Sequence, residues 1–190
     1  MTEWKEEFKT GAGILVSGGV LLYPTDTIWG LGSDILNERA VNRIYTIKRR
    51  NRNSPLIILV SSMEMLKCYV KEIPPRLEDL LNFHSKPLTV IYNEVHDIPD
   101  YLMAEDKTVA IRVTSEFYSK GLIDAFGRPI TSTSANVTGS PFPKGFGDIQ
   151  STIIEQVDFI STYKRDLMTE HMPSVIVRFD QNGELEFVRT

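Results

Sequence analysis

The apolar residues of this chain come in short runs, and that limits what it can build. The longest, such as Val20-Leu21-Leu22-Tyr23 and Leu56-Ile57-Ile58-Leu59-Val60, fall far below the ~20 residues that a membrane-crossing helix needs. They have the length of buried strands. Between them the spacing changes to three and four. Trp4, Phe8, Ala12 and Leu15 predict a first helix, stopped at Gly18-Gly19. Asn37 is placed to cap a helix over about 38–48, with Val41, Ile44 and Tyr45 inward and Lys48 next on the same face. Further helices are expected near 62–70, 75–83, 115–126 and 148–157. Strands are expected at 88–92, 108–113 and 129–132. Residues 174–179 and 184–188 flank Gln181-Asn182-Gly183 as a hairpin. Strands interleaved with helices and ending in a hairpin give an α/β (α+β) fold with a mixed sheet.

Length and composition fit one domain over residues 1–190, 42% hydrophobic and 24% charged. Cys68 is the only cysteine, and His84, His96 and His171 are scattered. That leaves no disulfide and no zinc-ligand spacing. The acidic, amphipathic start does not resemble a signal peptide. A soluble, cytoplasmic protein without membrane contact is expected.

The net charge of −4 advertises no polyanion. Locally the balance is different. Arg39, Arg43, Lys48, Arg49, Arg50 and Arg52 lie within fourteen residues without an acid among them, so the remaining chain holds 15 basic against 25 acidic residues. Most charge runs are solvated faces. Here, however, Lys48 continues an apolar helix face, and Arg50 follows at a junction leading into a buried strand. Two cations held there suit a polyphosphate. Two polar segments accompany them. Pro24-Thr25-Asp26-Thr27-Ile28-Trp29-Gly30-Leu31-Gly32 follows a strand, where ligands gather in α/β sheets. Thr131-Ser132-Thr133-Ser134-Ala135-Asn136-Val137-Thr138-Gly139 offers hydroxyls at every second position. Each is equally readable as a turn that satisfies its own backbone. The Walker and dinucleotide glycine signatures are absent, and nothing marks a covalent nucleophile.

Taken together and in order, these segments resemble the YrdC/Sua5 family of threonylcarbamoyl-AMP synthases, which begin the t6A modification of tRNA. The motifs are Tyr23 to Gly32, Ile47-Lys48-Arg49-Arg50 with Pro55-Leu56-Ile57, Lys86-Pro87-Leu88-Thr89, Thr108 to Arg112, Ser132 to Gly139 and Pro173 to Val177. The chain departs from the family pattern at Ser54, at Leu59, at His84-Ser85-Lys86 and at Phe142. The resemblance implies a twisted mixed sheet flanked by helices with a large concave cavity, in the short form without the extra C-terminal Sua5 domain. It implies condensation of L-threonine, bicarbonate and ATP, with release of pyrophosphate. Lys48 and Arg50 would be catalytic. Lys48, Arg50, Ser54, Thr108, Ser134, Asn136 and Arg189 would contact ATP, and Thr27, Arg112 and Ser132 would hold threonine. Magnesium would come with ATP, and a separate complex would pass the product to tRNA. The competing reading is a non-catalytic module for tRNA or double-stranded RNA.

Overall fold

The computed structural model describes residues 2–168, 173–179 and 184–189. The expected turn at Gln181-Asn182-Gly183, and His171, lie outside the described residues. Among the described residues, nine strands form one mixed sheet. In chain order they are β1 (Leu21–Tyr23), β2 (Gly30–Gly32), β3 (Ile57–Val60), β4 (Leu88–Tyr92), β5 (Val109–Val113), β6 (Ile130–Ser134), β7 (Phe159–Ile160), β8 (Val175–Phe179) and β9 (Leu185–Arg189). Their spatial order is β7-β1-β2-β6-β3-β5-β4-β8-β9. The pairs β1–β7, β3–β5 and β4–β8 are parallel and the others antiparallel.

Among the described residues six α-helices flank the sheet: α1 (Thr2–Val16), α2 (Glu38–Lys48), α3 (Met63–Lys67), α4 (Pro75–Phe83), α5 (Phe117–Phe126) and α6 (Ser151–Ile154). None is long and apolar enough to cross a membrane, among the described residues. Two apolar clusters sort these helices to the two faces. Leu22, Leu31, Ile44, Ile58, Leu77 and Val90 belong to the larger one. Phe8, Leu15, Leu21, Leu59, Leu122 and Ile130 belong to the smaller, beneath α1 and α5. The alternation Ile58/Leu59 between clusters is the period-two geometry of a strand covered on both faces.

The helix carrying the basic run forms as its sequence predicts. Asn37 Oδ1 accepts from Ala40 N at 3.0 Å, and Val41, Ile44, Tyr45 and Lys48 are buried. Two expectations are corrected, and one further strand is found. The Gly30–Gly32 stretch reads as a loop but is strand β2, squeezed between β1 and β6. A Cβ on Gly32 would stand 2.7 Å from Thr131 O and from the Tyr23 ring, so only glycine lets these strands approach. The helix expected over 148–157 spans only Ser151–Ile154. The chain turns away because Asp158 Oδ2 accepts from Val20 N at 2.7 Å and from Arg43 Nη1 at 2.7 Å. The two-residue β7 has too few side chains to show a period.

A paired substitution checks this packing account. Gly13 in α1 has nothing within 4 Å of a built Cβ, so Gly13→Ala should stabilise by about 0.5–1 kcal/mol in urea unfolding. Gly32→Ala should destabilise by about 1–3 kcal/mol through overpacking. Equal effects at the two sites would refute the close approach at β2.

Candidate functional site

Strand register carries the site across the sheet. Ser132 pairs with Ile57 and, two residues further along β3, Leu59 pairs with Arg112. Arg112 in turn pairs with Thr89, Thr89 with Ile176, and Ile176 with Arg189. Paired residues share a face, so Ser132, Arg112 and Arg189 project to the same side although they come from three separate strands. Leu59 shares that face but is fully buried in the α1–α5 cluster.

Beyond that cluster the face opens into a cleft of about 170 Å³, lined by Thr27, Arg50, Arg112, Ser132, Ser134 and Arg189 among others. Three guanidinium groups therefore meet in one concavity, and among the described residues no carboxylate lines it. Arg50 is fixed by carbonyls: its Nε donates to Ser54 O at 2.9 Å and its Nη2 to Pro55 O at 3.1 Å. Arg189 donates from Nε and Nη2 to Ser174 O at 3.0 and 2.8 Å. Burial lowers the pKa of both Arg50 and Arg189, and the charge of Arg112 adds to the effect on Arg189. Asp26 stands behind Arg112, with Oδ1 3.1 Å from Nη2 in a pair only 9% and 4% exposed. An ion pair this buried holds geometry more than it adds stability. Thr27 is placed by its neighbour, since Thr25 Oγ1 accepts from Thr27 N at 3.1 Å and lies 2.9 Å from Thr27 Oγ1.

Lys48 points inward, as its place on the apolar helix face predicts, and does not line the cleft. Its side chain is fully buried. Its Nζ donates to Ser134 O and, at 2.7 Å, to Asn136 O, with Ser134 Oγ at 3.3 Å and Asn136 Oδ1 at 3.4 Å. The ammonium is engaged in tying the 134–136 loop to the end of α2, and Lys48 is not among the cleft-lining residues. Ser134 Oγ donates to Asn136 Oδ1 at 2.5 Å, and Asn136 Nδ2 to Ser140 O at 2.6 Å. The loop thus satisfies itself internally while Ser134 still faces the cleft. Immediately after Lys48 the chain reverses. Arg49 adopts φ 50°, ψ 41°, a left-handed conformation that costs a non-glycine residue about 1 kcal/mol. Arg49 N and Arg50 N donate back to Thr46 O and Tyr45 O, and the turn delivers Arg50 to the cleft.

Thr27, Arg50, Arg112, Ser132, Ser134 and Arg189 are brought together, Lys48 and Asn136 support the wall from behind, and Ser54 sits at the rim through its carbonyl. Thr108 is not brought in. It precedes β5, four residues from Arg112 or ~13 Å along a strand. There it lines a separate concavity with Tyr92 and Arg178, and its hydroxyl donates to Asp106 Oδ1 at 2.7 Å. Sequence reasoning gave no role to Asp26, Ser174 or Phe142. Asp26 lay inside a quoted motif, but its partner is 86 positions away in the chain and no local pattern announces it.

The chain is similar to known proteins over most of its length. A profile of the Sua5/YciO/YrdC family, described as telomere recombination, matches residues 13–190. A threonylcarbamoyl-AMP synthase of Pyrococcus abyssi is 37% identical over 142 residues, 74% of this chain and 41% of that protein. One from Xanthomonas euvesicatoria is 33% identical over 147 residues, 76% of this chain and 79% of its own. Among solved structures, P. abyssi Sua5 complexed with L-threonine superposes with TM-score 0.80 at 29% identity, over 92% of this chain and 51% of that one. Escherichia coli YciO, at 24% identity and TM-score 0.85, covers 97% of this chain and 89% of its own, and shares the fold. The chain thus spans about half, or less, of the P. abyssi proteins it matches.

The buried amine makes a pH prediction. Desolvation first, and then the charge of Arg50, pushes Lys48 from its ordinary 10.5 down to about 7. Between those values the unfolded chain binds more protons than the folded one, so this contribution to stability rises with pH. Measured by urea unfolding, the protein should gain on a Lys48→Met variant between pH 7 and pH 9.5. A flat or falling difference would mean that the amine stays charged and compensated.

Proposed function

This chain belongs to the Sua5/YciO/YrdC family, and from that premise we propose that it is an L-threonylcarbamoyladenylate synthase. The observation that carries the proposal is the convergence of Arg50, Arg112 and Arg189 on one cleft bordered by the hydroxyls of Thr27, Ser132 and Ser134. The reaction joins anions. The amine of threonine captures bicarbonate as a carbamate, with loss of water. A carbamate oxygen then attacks the α-phosphorus of ATP as the bond to the β-phosphate oxygen breaks and pyrophosphate leaves. Charge repulsion and positioning dominate such a barrier, so fixed cations and oriented donors are the useful groups.

Arg112 would clamp the threonine carboxylate, with its fork held in place by Asp26. Thr27 and Ser132 would orient the rest of the amino acid. Arg50 and Arg189 would take the phosphates and the charge on the departing pyrophosphate. Lys48 and Asn136 would act behind them by fixing the Ser134 wall. Magnesium would travel with the triphosphate, because among the described residues no carboxylate lines the cleft to hold it there. The adenylate would pass to a separate tRNA-modifying complex. A cytoplasmic setting would supply ATP and tRNA.

Incubation of the pure protein with Mg·ATP, threonine and labelled bicarbonate should yield pyrophosphate and threonylcarbamoyl-AMP in equal amounts. Neither product at saturating substrates, with RNA bound instead, would favour the non-catalytic reading. Arg50→Ala should lower turnover by roughly 100-fold or more, on the scale of losing a charge-stabilising donor, with the melting temperature nearly kept. Arg112→Lys keeps the charge and loses the bidentate fork. It should raise the KM for threonine about tenfold or more and leave the KM for ATP within about twofold. The reverse pattern would move Arg112 to the nucleotide.

A further inference from the structure

The motif Lys86-Pro87-Leu88-Thr89 puts no residue on the cleft wall. Its last member is nevertheless a fully buried polar side chain. Thr89 stands in β4 between Leu88 and Val90, both buried and apolar. A valine would fill such a position without bringing a hydroxyl that has to be satisfied. Packing alone therefore does not ask for threonine here.

Register shows what the hydroxyl is next to. Thr89 pairs with Arg112 on one side and with Ile176 on the other, and Ile176 pairs with Arg189. Thr89 thus stands in the row between two of the cleft guanidiniums. Its Oγ1 lies 2.8 Å from Ser174 Oγ, and both side chains are buried. Arginine has donors only, so Ser174 Oγ accepts from Arg189 Nη2, at 3.2 Å. The Ser174 carbonyl accepts from Nε and Nη2 of the same group. Ser174 comes just before β8, whose ladder with β4 opens where Val175 N donates to Pro87 O at 3.1 Å. The hydroxyl pair therefore pins Ser174 at the mouth of the ladder, at the residue that holds Arg189. Arg112 repels Arg189 from the same row, so the oxygens that hold this guanidinium have to stay in place.

We propose that Thr89 is a positioning residue for Arg189: through Ser174 it keeps the guanidinium aimed at an anion in the cleft without touching that anion itself. The inference rests on the adenylation reading for what the anion is, a polyphosphate, and the positioning can be measured with inorganic tripolyphosphate alone.

The test is calorimetric titration of tripolyphosphate, with the synthase assay beside it, on the protein and on Thr89→Val, Thr89→Ser, Arg189→Ala and the double variant Thr89→Val/Arg189→Ala. Thr89→Val keeps the shape and loses the hydroxyl. It should weaken tripolyphosphate and raise the KM for ATP roughly three- to tenfold, the scale of one net hydrogen bond. The KM for threonine should stay within twofold, although Arg112 is the strand neighbour. Thr89→Ser should keep tripolyphosphate affinity within twofold. In the Arg189→Ala background Thr89→Val should add less than twofold, because residues acting through one another are not additive. Should Thr89→Val fail to fold, Ser174→Ala breaks the same bond from the other side and is held to the same limits. The positioning role is overturned if Thr89→Val lowers the melting temperature and leaves tripolyphosphate binding unchanged. It is also overturned if the loss is equally large without Arg189, if threonine weakens in step, or if Thr89→Ser fails to rescue. An unaltered protein that binds tripolyphosphate but makes no adenylate brings down the adenylation reading, and the binding arms still decide the role of Thr89. An unaltered protein that binds no tripolyphosphate overturns both.

Discussion

The burial of one lysine amine organises the site. Lys48 lies on the inward face of α2, and among the described residues its ammonium meets no carboxylate but four oxygens of Ser134 and Asn136. A charge taken out of water without compensation would cost several kcal/mol. The oxygens of a loop distant in sequence offset part of that cost, and desolvation still draws the pKa of the amine down to about 7. The loop has to adopt the shape that supplies those oxygens, and once it does, α2 and the end of β6 are locked together. The wall that carries Ser134 and the reversal that delivers Arg50 both follow. Thr138 N, donating to Lys48 O at 2.9 Å, closes the same junction from the backbone side.

With that junction fixed, the sheet supplies the rest. Register brings Ser132, Arg112 and Arg189 to one face, and the glycine strand β2 brings the Thr25–Thr27 turn beside them. The result is a strongly cationic cleft in a chain whose net charge is negative. Each guanidinium is held by a partner that leaves it in the cleft: carbonyls for Arg50 and Arg189, a buried carboxylate for Arg112. Such prior fixing is what reactions between anions require, because donors that are already oriented need no reorganisation as charge develops.

Legibility in the sequence followed the range of the interactions. Helix α2 was readable to its cap, since Asn37, the apolar face and the closing lysine all lie within twelve residues. Helix α4 and strand β4 were also placed as the spacing predicts. Strand β2 was unreadable, because its glycines carry no β-propensity and Gly32 is demanded by Thr131 and Tyr23 across the sheet. The shortness of α6 was set by Asp158 reaching Val20 and Arg43. The direction of Lys48 was legible, but its occupation with the loop was not, because face periodicity says nothing about what waits inside.

By itself, then, the sequence determined the fold class, the concentration of positive charge around Arg50, the hydroxyl row after β6 and the ordered motifs that identify the family. These depend on local periodicity and on residue order. Only the tertiary structure decided which groups share the cleft. It set Arg112, Ser132 and Arg189 side by side, turned Lys48 into a clasp and sent Thr108 to another concavity. Those outcomes depend on strand register and on the satisfaction of buried polar groups, and both are settled between residues far apart in the chain.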